Sequence, residues 1–226
     1  MKPGPEELPT PGSPTQLLGV GLAIKRALDF SCAILLLVML SPLIAAIALA
    51  VRVKLGSPVL FVQERPGRGA APFRVRKFRT MTDAQGPDGT SLPDRLRLTR
   101  LGTAIRSASL DELPQLVNIL AGDMSFIGPR PLLMRYLPFF TERERLRFKM
   151  RPGLTGWAQV NGRNTVAWDE RLSQDVWYIE HWSLGLDMKI MARTLGAVVT
   201  RRGFESDPES RMANLDDERR HRGDLL

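Results

Sequence analysis

The chain has 226 residues, 43% of them hydrophobic, enough for a buried core in one domain of ordinary size or two small ones. Its single cysteine, Cys32, excludes a disulfide framework and a cysteine-based metal site and makes a reducing, cytosol-facing compartment the default. The net charge is +8 and 26 of the 32 basic residues are Arg, which suits nucleic acid, anionic lipid or a phosphorylated substrate, though a GC-rich genome would give the same bias.

Residues 1–16 carry five prolines and little apolar content and read as a disordered tail. From Phe30 to Val51 there are 22 residues without a charge, long enough to cross a bilayer core. Ser41-Pro42 interrupts the run at its middle. Pro42 has no amide proton and clashes one turn back, so a helix kinks or breaks there, and the Ser41 hydroxyl is placed to bond a freed carbonyl. Both flanks are basic, Lys25 and Arg26 before and Arg52 and Lys54 after. Basic flanks stay in the cytoplasm, which suits a hairpin that enters and returns, while the length equally suits a single kinked span; the residues alone leave both open. Asp29 at the start of the run needs a partner in lipid, and a basic residue of the membrane-facing surface is expected.

Beyond the run, Pro58 to Gln63 predicts a short strand, and Pro72 to Thr80, alternating apolar and basic residues, predicts its partner. Lys77 and Arg79, two apart, fall on one strand face. Residues 82–95 are dense in Gly, Pro and Asp and form a loop. Ser109 and Glu112 make an S-x-x-E capping box, so a helix is expected from Ser109 to near Gly122, with Asp111 and Glu112 complementing its dipole. Residues 132–150 mix large apolar groups with basic ones and predict a helix in the membrane interface. Helices are expected at about 169–181 and 186–200, and residues 205–226 read as a charged tail. The expected fold is α/β: a small membrane-associated catalytic domain over 56–204 with few short strands and several interfacial helices, preceded by a membrane hairpin over 17–55.

The blocks KRALDFS, LSP, GSPVLFVQERPGRG, KFRTM, LTRLGTAIRSASLDELPQLVNILAGDMSFIGPRPLL, RPGLTGWAQVNGRN and DVWYIEHWSLGLDMKI occur in this order over residues 22–204. In order and density they resemble the bacterial sugar transferase family, the monotopic phosphoglycosyl transferases that start glycan assembly on undecaprenyl phosphate. The chain resembles a minimal member without the multi-span N-terminal region of larger ones. The resemblance implies that the helix broken at Ser41 and Pro42 is re-entrant. It implies that Asp111 is the nucleophile, attacking the sugar-bearing phosphorus of a UDP-sugar; UMP leaves, and polyprenyl phosphate then takes the phosphosugar from Asp111. Glu112, beside Asp111, is the expected Mg²⁺ ligand and Arg106 the holder of a phosphate.

Other positions keep two readings. Lys77 and Arg79 are phosphate or lipid-headgroup contacts by resemblance, a solvated strand face by pattern. Arg130, between two prolines, is assigned to the nucleotide end of the donor. Gln159, Asn161 and Arg163 contact base or sugar, or cap turns. Asp175 and Asp187 match acidic positions near the family's active site, with a salt bridge or helix cap as the competing role. The implied location is the cytoplasmic face of the bacterial inner membrane, with downstream glycosyltransferases as further partners. A catalytically silent membrane scaffold is one rival. A nucleic-acid-binding protein is another, disfavoured by the charge-free run and by the scarcity of aromatic stacking residues in the basic stretch, so no nucleic-acid partner is expected. The sugar is not readable.

Overall fold

The computed structural model describes residues 14–161, 167–199 and 214–223. Helix α1 (Pro14–Leu55) is one continuous helix with Pro42 inside it. The expected break at Ser41-Pro42 is therefore not an interruption of helical structure. Pro42 deprives the Val38 carbonyl of its amide partner, and Ser41 Oγ donates to that same carbonyl at 2.8 Å. The helix exposes large apolar side chains along its length, among them Val38, Met39, Leu49 and Val53. It is the one described helix long and apolar enough to cross a membrane.

Strands β1 (Leu60–Pro66) and β2 (Pro72–Phe78) form an antiparallel hairpin, Leu60 facing Phe78 and Pro66 facing Pro72. The hairpin expectation holds, with β1 shifted a few residues toward its turn. Helix α2 (Asp94–Arg97) and helix α3 (Arg100–Ser107) follow the 82–95 loop, and Thr99 caps α3 by accepting from the Gly102 amide at 2.9 Å. A 3₁₀ turn (Leu110–Glu112) leads into α4 (Gln115–Ala121). Strands β3 (Ser125–Ile127) and β4 (Gly153–Thr155) pair in parallel. Then come α5 (Trp157–Asn161), α6 (Trp168–Glu180), α7 (Leu184–Val199) and α8 (Leu215–Arg222).

Two expectations fail for the same reason. Residues 132–150 are not an interfacial helix but two 3₁₀ segments (Met134–Phe139 and Glu144–Lys149). Their apolar side chains turn inward: Leu132, Tyr136, Phe140 and Phe148 pack with Trp168, Leu172 and Leu215. Leu215 belongs to the expected tail; it is fully buried, and residues 214–223 dock on this cluster rather than trailing away. In each segment a buried Arg finds carboxylates distant in the chain, Arg147 at Asp175 and Arg219 at Glu144 and Asp169, so charge did not signify exposure.

Helix α1 is fastened to the rest at several points along its length. At its middle, Ala33 belongs to one cluster with Val75, Leu116, Ile119 and Met124. Near its end, Ile47 and Val51 pack with Phe78 and Ile105. Polar ties reinforce the first contact: Arg26 donates to the carbonyls of Ile119 and Leu120, 2.5 and 2.9 Å away, at the C-terminal end of α4. Asp29 is buried, but its hydrogen-bond partner is the Phe126 amide at 3.1 Å, not a basic side chain.

Candidate active site

The centre is the turn before α4. The capping box expected there does not form. Ser109 adopts the left-handed conformation (φ 55°, ψ 18°) and its side chain makes no cap. A serine in that region is strained, and the Asp111–Glu112 pair lies in a 3₁₀ turn ahead of α4 rather than in its first turn. Instead Glu112 Oε1 accepts from Lys77 Nζ at 2.5 Å and from Arg130 Nη2 at 2.9 Å. Three separate segments therefore converge on one carboxylate: β2, the turn, and the loop after β3.

Each partner is held from behind. Asn118, fully buried on α4, accepts from the Arg76 amide at 3.2 Å and donates to the Arg74 carbonyl at 2.7 Å, locking α4 to the strand that carries Lys77. Arg130 lies between Pro129 and Pro131. Its loop is laced to the RPGLTG segment by Ser125 N to Pro152 O, Gly153 N to Pro129 O and Gly128 N to Thr155 O, at 2.9 to 3.0 Å. A side chain at Gly153 would collide with the Gly128 backbone, so glycine permits this close approach. Arg147 Nη2 donates to the Arg130 carbonyl and to Asp175 Oδ2, each at 2.7 Å. Asp175 and Arg147 are both deeply buried and form an ion pair behind Arg130.

Arg106 completes the set. Its Nε donates to Thr80 Oγ1 at 2.9 Å, while Gly102 packs directly on the Thr80 carbonyl. Arg106 is exposed.

The two neighbouring carboxylates differ. Burial opposes the charge on Glu112, but Arg130 and Lys77 prevail and hold its pKa down to about 2. Burial pushes Asp111 above the usual carboxylate range; Lys77, Arg106 and Arg130 oppose the rise and Glu112 adds to it. Among the described residues Asp111 has no ion pair or hydrogen bond through its side chain. One carboxylate is thus locked as an anion and the other is uncommitted. Around them the field is positive: burial and repulsion from Arg130 lower both Arg65 and Arg171 to about 10. This is an environment for a multiply charged anion.

Among the described residues no three His, Cys, Asp or Glu side chains gather into a ligand set. The available donors are the Asp111 oxygens and Glu112 Oε2. Two adjacent carboxylates suit a hard divalent cation that takes its other oxygens from phosphate and water.

The remaining predicted residues are placed elsewhere. Arg79 does not share Lys77's task. The strand ends at Phe78, and Arg79 donates to the Leu55, Ser57 and Met81 carbonyls and to Asp83, clasping the end of α1. Asp187 accepts from Lys25 at 2.6 Å, Tyr178 at 2.7 Å and Trp182 at 3.2 Å, tying α7 to the start of α1. Gln159 donates to the Leu154 carbonyl, and Asn161 donates to the Trp157 carbonyl within α5 and accepts from Arg193 on α7. Arg163 lies outside the described residues. Sequence reasoning missed Asn118 and Arg147; a buried Asn in an apolar helix was the only available signal, and Arg147 had none.

The sequence profile of bacterial sugar transferases matches residues 20–201. The chain belongs to that family. This sugar transferase is 49% identical over 184 residues to the Bacillus subtilis EpsL protein, an uncharacterized sugar transferase, covering 81% of this chain and 91% of EpsL. It is 41% identical over 200 residues to a Caulobacter vibrioides UDP-glucose:undecaprenyl-phosphate glucose-1-phosphate transferase, covering 84% of this chain and 74% of that protein. A third relative, from Aeromonas hydrophila, is a UDP-N-acetylgalactosamine-undecaprenyl-phosphate N-acetylgalactosaminephosphotransferase. It is 39% identical over 189 residues, covering 78% of the sugar transferase but 44% of the relative.

Proposed function

We propose that the protein transfers a sugar-1-phosphate from a UDP-sugar to undecaprenyl phosphate through a covalent phosphosugar on Asp111. The observation that carries this is the division of the carboxylate pair, Glu112 bound by Lys77 and Arg130 and Asp111 left uncommitted beside three cations. An Asp111 oxygen attacks the phosphorus bearing the sugar. The bond from that phosphorus to the nucleotide's bridging oxygen breaks, and UMP departs with the electron pair. An oxygen of undecaprenyl phosphate then attacks the same phosphorus and displaces the Asp111 carboxylate. Lys77, Arg106 and Arg130 offset the repulsion between anions in both steps and are in place before substrate arrives.

Asp111 and Glu112 Oε2 would hold a Mg²⁺ ion, which would supply further neutralisation of phosphate charge. The names of the Caulobacter and Aeromonas relatives agree on the acceptor and differ on the sugar, glucose in one and N-acetylgalactosamine in the other.

The reading includes a bent α1 that enters and leaves the same face of the bacterial inner membrane, with the domain in the cytoplasm. One observation supports it. Both ends of α1 are tied to the domain, Lys25 and Arg26 to Asp187 and the α4 carbonyls, and Ile47 and Val51 in a cluster with Phe78 and Ile105, and Pro42 lies between them, where a helix can kink.

The test is transfer of label from a panel of UDP-sugars to undecaprenyl phosphate with Mg²⁺, followed by mass spectrometry of the protein after donor alone. A phosphosugar on the peptide containing Asp111, absent in Asp111→Asn, is expected. Transfer by Asp111→Asn at the unmodified rate would refute the reading.

A further inference from the structure

The matched family region ends at residue 201, and α8 lies beyond it. Yet α8 is built into the domain. Leu215 fills the cluster of Tyr136, Phe148 and Trp168. Tyr136 donates its hydroxyl proton to Asn214 Oδ1 at 3.2 Å, and Asp216 pairs with Arg135 at 3.4 Å. Arg219, with 6% of its side chain exposed, donates from one nitrogen to Glu144 Oε1 and Asp169 Oδ1, each at 2.7 Å.

The two carboxylates belong to elements that matter at the site. Glu144 begins the 3₁₀ segment that carries Arg147, and Asp169 lies in the first turn of α6, which carries Asp175. The segment and the helix therefore meet twice: at Arg219, and again at the buried Arg147–Asp175 pair that holds the Arg130 carbonyl. The two carboxylate oxygens are at most twice 2.7 Å apart, because both touch one guanidinium nitrogen. Without that cation Glu144, whose side chain is 12% exposed, loses its ion pair, and the segment and α6 lose the bridge between them at this end.

We infer that Arg219, on α8, is a positioning residue for Arg130: a C-terminal latch that keeps the phosphate-binding arm in register with Glu112. The functional half of this inference rests on the reading that Arg130 meets substrate phosphate.

The test uses the full chain in detergent, with UDP as the probe. Amide hydrogen exchange over Ile127–Leu133 reports the arm itself, and calorimetric UDP affinity reports its use. Arg219→Gln is expected to speed exchange in that segment and weaken UDP about five- to tenfold, with Arg219→Lys restoring most of both. Arg130→Gln should weaken UDP at least as much, and the double variant no further, because one residue acts through the other. Arg220→Gln, on the same helix, should change neither reading. Unchanged exchange in Arg219→Gln, unmodified UDP affinity, or additive losses in the double variant would each overturn the latch. If the unmodified protein binds no UDP, the functional reading fails, and the exchange measurement still decides whether α8 holds the arm.

Discussion

Lys77 Nζ lies 2.5 Å from Glu112 Oε1, a contact between residues 35 apart in the chain. Arg130 and this lysine together keep Glu112 ionised far into acid, with a pKa of about 2 against an ordinary 4.5. A depressed carboxylate stabilises the fold above its unfolded pKa and loses that contribution as pH falls toward its folded value. Thermal unfolding of the unmodified protein and Glu112→Gln should therefore differ most above pH 4.5 and converge as pH approaches 2. A constant gap across that window would show that Lys77 and Arg130 do not hold the charge.

Asp111 should control the acid limb of activity. Burial raises its pKa, so the rate falls with acid earlier than for an ordinary carboxylate, while Glu112 remains charged. Lys77, Arg106 and Arg130 moderate that rise. Arg106→Gln removes one moderating charge, so its acid limb should move to higher pH in the pH profile of UMP release. A shift to lower pH would contradict the assigned field.

The Arg147–Asp175 pair is buried on both sides, with side-chain exposures of 2% and 5%. Removing one partner strands a charge in the interior, which typically costs about 3–5 kcal/mol. Asp175→Ala should lower the melting temperature by roughly 6–20 °C, at about 2–4 °C per kcal/mol for a chain of this size. Replacing both residues together, as Arg147→Met with Asp175→Leu, should cost less than Asp175→Ala alone. Calorimetry of the two variants decides it; a double variant less stable than the single would mean the pair contributes net stability.

The path of α1 is directly measurable. Cys32→Ala proteins carrying one new cysteine at Ala23 or at Val53 should both be labelled by a membrane-impermeant maleimide from the cytoplasmic side only. Labelling from opposite sides would convert the bent anchor into a span.

Legibility followed the range of the interactions. The apolar run, the β1–β2 hairpin, α6 and α7 were readable because period and punctuation are local. So was the role of Ser41, whose hydroxyl meets the carbonyl orphaned four residues before Pro42. The fate of Glu112 was not. Its local pattern specified a cap, and two cations from distant segments outcompeted the helix amides. The segment 132–150 and α8 misled in a related way. Arg147 and Arg219 read as surface charges, yet each is buried against carboxylates at least 28 residues away. Single-chain patterns encode exposure statistics; they do not encode which charge will find a counter-ion across the fold. Arg79 and Asp187 show the converse. Motif likeness brought them near the chemistry, and the geometry gives them to the ends of α1.

Lys25 and Asp29 have a consequence for the order of folding. Opposite charges four residues apart on α1, they are within reach of each other on the isolated helix. In the folded chain both are buried, and each is held by a group roughly a hundred or more residues later, Asp187 for Lys25 and the Phe126 amide for Asp29. The charges of α1 therefore receive their final partners only when α7 and β3 have closed on it.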